Sequence, residues 1–161
     1  MRKFLLVGAL APALVACVSS GGADAIRQLP SNLAETGRVT DIVLAAPPAN
    51  GSPEFATVFK AKVGEKLAQC AKGNKPLRLE ATLTEFKRAN ALATWAVGSS
   101  NRIAGTAKLI DPADGSVVAD YDIHRSVGGG GLIAVAGMSQ AEEQMSSAFG
   151  DELCKRAFVR R

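Results

Sequence analysis

The sequence has little of what catalysis usually requires. It contains one histidine and three cysteines in 161 residues, and no serine occupies a Gly-x-Ser-x-Gly turn. The cysteines form no Cys-x-x-Cys redox motif, and the histidine has no evident nucleophile partner. The glycine run at 128–131 lacks both the Lys-Ser/Thr of a phosphate loop and the spaced glycines of a dinucleotide site. We therefore expect no catalytic residues and no cofactor.

An excess of charge of one sign is also missing. The chain has 19 Lys and Arg against 15 Asp and Glu. Arg2 and Lys3 lie in a segment that we expect to be removed, so 17 basic residues remain against 15 acidic ones and the mature net charge is about +2. A nucleic-acid-binding domain would be expected to carry a clustered basic face. The composition therefore indicates no nucleic-acid partner.

The most specific feature is the start of the chain. Arg2 and Lys3 precede an almost wholly apolar run at 4–15, and Cys17 follows shortly after it. This layout is typical of a cleaved secretory signal, and the apolar run is shorter than the roughly 20 residues that span a bilayer. We predict a signal peptide over 1–16, which leaves a mature chain about the size of one domain.

The four residues Leu-Val-Ala-Cys that end at Cys17 resemble the bacterial lipobox. The resemblance implies a diacylglyceryl thioether on Cys17, cleavage just before it and acylation of the new amino terminus with a fatty acid such as palmitate. Val18 stands where an aspartate would retain an enterobacterial lipoprotein in the inner membrane. The implied protein is lipid-anchored to the periplasmic face of the outer membrane, with the membrane as a partner through Cys17.

Two segments follow the predicted cleavage site. Residues 17–37 are rich in Ser, Gly and Ala and show no sustained period, so we predict a lipidated cysteine followed by a flexible tether. Residues 38–161 are predicted to form a single α/β domain. Cys70 and Cys154 remain once Cys17 carries lipid, and an exported compartment permits them to form a disulfide.

Periodicity within the domain predicts the order of its elements. An apolar run at 38–46 indicates a strand buried on both faces. Alternating apolar and polar residues predict strands from Leu77, Ile103 and Val117, with a hairpin turn at 111–115 between the last two.

Two helices are predicted from their starts and their apolar spacing. Ser52 is a suitable cap before Pro53 for the first helix, and Ser139 with Glu142 forms a capping box for the second. The resulting order β-α-β-β-β-α indicates an α/β (α+β) two-layer sandwich, a mainly antiparallel sheet with two helices on one face. Cys70 and Cys154 then lie at similar depth on parallel helices.

Two groups of residues are candidates for function. Asp120, Asp122 and His124 share one face of a strand and are possible metal ligands, but neighbours two apart in a strand are about 7 Å apart, so we favour a solvated face and predict no metal site. Two apolar segments at one end of the sandwich either fold onto the core or expose a patch for a partner protein or membrane. The candidate interaction residues are Leu92, Trp95, Val97, Leu132, Ile133 and Val135, with Trp95 as the expected anchor.

The run Glu85-Phe86-Lys87-Arg88, the later Gly-Thr-Ala-Lys-Leu-Ile-Asp at 105–111 and the glycine cluster before the last helix resemble small bacterial lipoproteins of a domain-of-unknown-function family. That family is similar in fold to periplasmic domains of curli-secretion and lipopolysaccharide-assembly lipoproteins. The resemblance implies a non-catalytic accessory or assembly factor that binds another envelope component. Two alternatives stay open: a binder of a small apolar or lipidic molecule between sheet and helices, and an enzyme of unrecognised type.

Overall fold

The computed structural model of the protein describes residues 20–89, 100–127 and 140–158. Within these ranges the chain forms five strands and three helices, and a π-helical turn at Cys154–Phe158 extends the last helix. In chain order the elements are β1 (Ser20–Arg27), α1 (Ser31–Thr36), β2 (Gly37–Leu44), α2 (Phe55–Cys70), β3 (Lys75–Lys87), β4 (Asn101–Ile110), β5 (Val117–Val127) and α3 (Ala141–Leu153).

The strands form one sheet in the order β1-β5-β4-β3-β2. β2 pairs with β3 in parallel, and the other three pairings are antiparallel. Helices α2 and α3 pack side by side on one face of this sheet. The predicted two-layer sandwich with a mainly antiparallel sheet is therefore confirmed.

Strand direction gives the sheet two distinct ends. β1 and β4 start, and β3 and β5 finish, at what we call the loop end, defined by Ser20, Asn101 and Val127. The opposite end contains the turn Asp111–Ser116 between β4 and β5, and we call it the hairpin end. Both α2 and α3 run from the loop end to the hairpin end, because each follows a strand that finishes at the loop end.

The core lies between the sheet and the two long helices. Alternating strand residues point into it, as their period of two requires, and each helix adds one apolar stripe. Rings of Phe59 and Phe149 meet across the helix pair with centroids 5.4 Å apart. The largest fully buried side chains are Tyr121, Phe55, Phe59, Phe149, Leu67, Leu77, Leu79, Ile103, Leu109, Ile123, Met145 and Leu153.

The two long helices are in close contact along α3. A Cβ atom on Gly150 would lie 3.0 Å from both the Lys66 Cβ and the Val63 Cα, which is closer than packed side chains normally approach. The missing side chain therefore lets α3 approach α2. At the hairpin end Cys70 and Cys154 form the predicted disulfide, with their Cα atoms 5.9 Å apart.

The predicted flexible tether over 17–37 is wrong for the residues that the structure describes. Ser20–Arg27 forms edge strand β1, paired with β5 from Ser20 to Arg27, and Ser31–Thr36 forms α1. One side of the β1 backbone is hydrogen-bonded to β5, although Ala23 is the one buried apolar side chain of this strand. The sheet thus begins with the fourth residue of the predicted mature chain.

The strand predicted to be buried on both faces is also corrected. β2 is the opposite edge of the sheet and pairs with β3 alone. Its apolar residues Val39, Ile42, Val43 and Leu44 are half-buried. An edge position leaves one side of the strand without a neighbour, and this lowers the burial that its composition suggested.

Candidate interaction site

The loop end is the part of the fold from which both predicted interaction segments leave. The candidate residues Leu92, Trp95, Val97, Leu132, Ile133 and Val135 lie outside the described residues. The structure does describe the residues that flank them. Asn101 and Val127 are register partners on neighbouring strands β4 and β5, so the two segments adjoin the sheet side by side. Whether their apolar side chains form an exposed patch stays a prediction.

Side-chain hydrogen bonds fix the residues that flank these segments. The Asn101 side chain is buried, and its Oδ1 accepts a hydrogen bond of 2.8 Å from the Ala89 N–H. The Ser126 hydroxyl donates to the Ser100 hydroxyl oxygen over 2.7 Å. Both bonds join positions that are distant in sequence but close at the loop end, so they hold together the strand ends that flank the segments.

A second set of polar contacts joins the starts of the two long helices. The Glu142 carboxylate accepts two hydrogen bonds from Ser52, one from the N–H to Oε1 at 2.9 Å and one from the hydroxyl to Oε2 at 2.7 Å. The Arg88 guanidinium lies 3.7 Å from Glu142 Oε1 and also donates to the Asn50 carbonyl oxygen. We call Asn50, Ser52, Arg88 and Glu142 the polar clamp.

The polar clamp corrects one predicted helix cap. α2 begins at Phe55 after Glu54, without a side-chain cap, and the Ser52 hydroxyl donates instead to Glu142. Glu142 accepts from Ser52, and its capping box with Ser139 stays a prediction, because Ser139 lies outside the described residues. A partner on α3 therefore satisfies the Ser52 hydroxyl in place of a partner within α2.

Sequence reasoning missed the clamp as a unit, although it identified both principal members. Ser52 and Glu142 each stood out as a residue at a helix start, and the shared signal is a polar group at the same end of two adjacent helices. Their pairing depends on the lateral contact of α2 with α3, which no local pattern encodes.

The face of the sheet opposite the helices carries the aspartates and the histidine considered as metal ligands. Asp120 is half-buried, and Asp122 and His124 are exposed, as expected of a solvated face. Asp122 lies between Asp24 and Thr106 in the register of the sheet. In the part of the chain that the structure describes, no group of three or more His, Cys, Asp or Glu side chains is placed to hold a metal ion.

A shallow groove of about 150 Å³ lies on this open face close to the loop end. Residues from four segments line it, and the polar ones carry charges of both signs. Hydroxyl, guanidinium, imidazole and carboxylate groups in one groove can hydrogen-bond a polar or phosphate-bearing group. The polar residues that line the groove are Ser20, Glu85, Arg102, His124, Arg125 and Ser126.

Electrostatic effects elsewhere are local. The hydrogen bond and charge of Glu143 raise the pKa of Lys62 across the exposed seam of α2 and α3, where the two side chains are 3.0 Å apart. In the hairpin, hydrogen bonds from Ser116 lower the pKa of Asp114. Within residues 20–89, 100–127 and 140–158, no helix is long and apolar enough to cross a membrane.

The fold of the protein is similar to those of known structures. The sequence matches no protein-family model and no curated protein sequence. The structure is similar to the PelC dodecamer from Paraburkholderia phytofirmans, with a TM-score of 0.54, 14% identity, and coverage of 89% of this chain and 100% of that chain. It is also similar to protein XCC0632 from Xanthomonas campestris, of family DUF330, with a TM-score of 0.50, 16% identity, and coverage of 74% and 81%. At these identities the likeness is one of fold, and the chain shares its architecture with PelC and a DUF330 protein.

Proposed function

We propose that the protein is a non-catalytic lipoprotein of the outer membrane, anchored through Cys17 and facing the periplasm. It acts there as an accessory or assembly factor that binds another envelope protein. The chain is organised for this role as a lipid-bearing amino terminus followed by a small sandwich whose loop end bears the predicted interaction segments.

The observation that carries this proposal is the disulfide between Cys70 and Cys154. Disulfides persist in oxidising compartments such as the bacterial periplasm and are rare in the cytosol. The bond joins the hairpin ends of α2 and α3 across a sequence separation of 84 residues. It agrees with the export signal, which was inferred from an unrelated part of the sequence.

The fold likeness supports the assembly part of the proposal. PelC of P. phytofirmans forms a dodecamer, and we carry over the idea that this architecture can serve in an assembly. Both edges of the described sheet, β1 and β2, have a free side on which a further strand or chain could pair. Light scattering on the purified lipoprotein over a range of concentrations would distinguish an oligomer from a monomer that acts through other proteins.

The localisation is tested with Cys17→Ser in the host cell. Metabolic labelling with a palmitate analogue and membrane fractionation should show labelled protein in the outer membrane for the natural sequence, and unlabelled protein outside it for the variant. Ala113→Ser is the matched control, because it introduces a serine at an exposed position that is not expected to carry lipid. Equal labelling or equal membrane association of Cys17→Ser and the natural protein would contradict the anchor.

The partner is tested by crosslinking in intact cells, followed by identification of the products. A discrete protein product that requires Cys17 supports an accessory or assembly role. Co-purification of a lipid without a protein product would favour instead the alternative of a binder of a small apolar or lipidic molecule.

A further inference from the structure

The connection between the predicted anchor and the folded sheet is very short. Only Val18 and Ser19 separate Cys17 from Ser20, the first residue of β1. The three steps along the chain from the Cys17 Cα to the Ser20 Cα span at most about 11 Å when fully extended. Because β1 is paired with β5 from its first residue, the connection cannot lengthen without breaking the sheet. A lipid on Cys17 would therefore hold Ser20 close to the membrane surface.

The position of Ser20 decides which end of the domain is held there. Ser20 pairs with Ser126, and Ser126 pairs with Arg102 on β4. Arg102 in turn pairs with Lys87, the last residue of β3. These four residues form one row across the loop end, with neighbouring strands about 4.8 Å apart, so Arg102 and Lys87 lie roughly 10 to 15 Å from Ser20.

The charges along this row fit a phosphate-rich surface. Lys87 and Arg102 are exposed, and neither forms an ion pair with another described residue. His124 and the acidic Glu85 line the adjoining groove with Arg102. A basic side chain near an anionic lipid surface is attracted within about one Debye length, roughly 8 to 10 Å.

The hairpin end carries basic as well as acidic side chains, and Lys72 and Lys75 lie there near Asp111. Asp111 and Asp114 lie in its turn, and the pKa of exposed Asp114 is lowered, so it stays ionised at neutral pH. Lys155, near the same end, is paired with Asp151 over 2.7 Å. The short connection from Cys17 to Ser20, and not a difference in net charge, therefore selects the loop end as the surface that faces phosphate groups.

We propose that the loop end is the membrane-facing surface of the domain, with the Lys87 and Arg102 side chains on the phosphate groups of the lipids around the anchor. The proposal rests on lipidation of Cys17, the proposed function above, and adds an orientation and a lipid-contact site to it. The segments 90–99 and 128–139 leave the sheet at this same end.

The test uses full-length mature lipoprotein in vesicles of phosphatidylethanolamine and phosphatidylglycerol that contain a lipid with a nitroxide head group. Ala49→Cys and Ala113→Cys each provide one labelling site for a fluorophore. They are a matched pair, because both are exposed loop alanines and they lie at opposite ends of the sheet. A strand of ten residues such as β4 is about 33 Å long, beyond the reach of contact quenching.

We expect quenching of the Ala49 label to be several-fold stronger than that of the Ala113 label. Lys87→Gln combined with Arg102→Gln should reduce this difference, whereas Lys72→Gln, an exposed lysine at the hairpin end, should preserve it. Equal quenching of the two labels, or stronger quenching at Ala113, would overturn the orientation. A difference unaffected by the double substitution would overturn the lipid-contact site.

Mass spectrometry of the amino-terminal peptide separates the two proposals. An acylated Cys17 in a protein with equal quenching at both labels overturns the orientation and leaves the lipoprotein assignment standing. A peptide without an acyl group overturns both.

Discussion

Ser52 and Glu142 lie 90 residues apart in sequence, and both Glu142 carboxylate oxygens accept hydrogen bonds from Ser52. This contact joins the starts of α2 and α3, while the disulfide between Cys70 and Cys154 joins their opposite ends. The helix pair that covers the sheet is therefore fixed at both of its ends by different chemistry. Each fixing point, together with the contact between them, can be tested separately.

Glu142→Ala should destabilise the protein by roughly 1.5 to 3 kcal/mol, since it removes two hydrogen bonds to a charged group and leaves a half-buried Ser52 without its acceptor. Its neighbour Glu143 is the control, because it is exposed and forms an ion pair with Lys62. Glu143→Ala should cost no more than about 1 kcal/mol. Urea unfolding measures both free energies, and similar losses in the two variants would contradict a role for the clamp.

Replacement of both Cys70 and Cys154 by Ala should lower the free energy of unfolding by about 4 to 5 kcal/mol, because the bond closes a loop of 84 residues in the unfolded chain. The measurement compares urea unfolding of this variant with that of the natural protein. Cys17→Ser serves as the control and should leave the unfolding free energy unchanged. A loss below about 1 kcal/mol, the most expected of a single exposed ion pair, would show that the bond does not constrain the unfolded state.

Gly150→Ala and Gly64→Ala should change stability in opposite directions. Both replace a helical glycine by alanine, and this exchange alone stabilises a helix by roughly 1 kcal/mol. At Gly150 the new methyl group meets Lys66 and Val63 at 3.0 Å, whereas at Gly64 the nearest atom, Ile42 Cδ1, lies 3.4 Å away. Overpacking costs about 1 to 3 kcal/mol, so thermal unfolding should rank Gly64→Ala above the natural protein and Gly150→Ala below it.

Gly21→Ala should loosen β1, and Gly22→Ala should not. A Cβ atom on Gly21 would overlap the Arg125 side chain and lie 2.6 Å from the His124 carbonyl oxygen, while one on Gly22 finds its nearest atom at 3.4 Å. Arg125 itself is held by Glu152 on α3 at 3.2 Å. Hydrogen exchange should show lost amide protection over Ser20–Arg27 in Gly21→Ala alone. Equal protection in both variants would mean that β1 tolerates the displacement.

The turn at the hairpin end should respond to acid at Asp114. Hydrogen bonds from Ser116 lower its pKa from the usual 3.8. A carboxyl with a lowered pKa contributes stability above its unfolded pKa, and this contribution is lost as the pH falls through the lower folded value. An NMR titration of the Asp114 carboxyl should therefore give a pKa below 3.8. The pKa should stay below 3.8 in Ser116→Gly, because the backbone N–H of residue 116 is the main cause of the lowering and remains in the variant.

The strands and helices that fill the core could be predicted because burial imposes a period on their sequences. Leu77, Leu79 and Ala81 alternate with polar neighbours and are fully buried, and Cys70 and Cys154 could be matched by depth once both helices had a direction. Edge strands lack this signal. β1 buries Ala23 as its one apolar side chain and starts with Ser-Gly-Gly, which is also the composition of a linker. Its pairing with β5 joins residues that are far apart in the sequence, so no local pattern encodes it.

The clamp shows a second limit of local patterns. Ser and Glu near a helix start predict capping within the same helix, and either residue can equally bind an adjacent helix. The choice depends on the packing of α2 against α3, which brings Ser52 to Glu142. The sequence indicated the residue types and the end of the sandwich, and the fold determined the partner.

The pairing of β1 with β5 also determines the order in which the chain can fold. Synthesis proceeds from the amino terminus, so β1 is the first described element to emerge, yet its partner Ser126 follows Ser20 by 106 residues. Strand pairing over such a separation is slow. Until β5 has emerged, the strand next to the predicted lipidation site Cys17 is a free edge, and an escort that binds it would protect the chain from pairing with another copy.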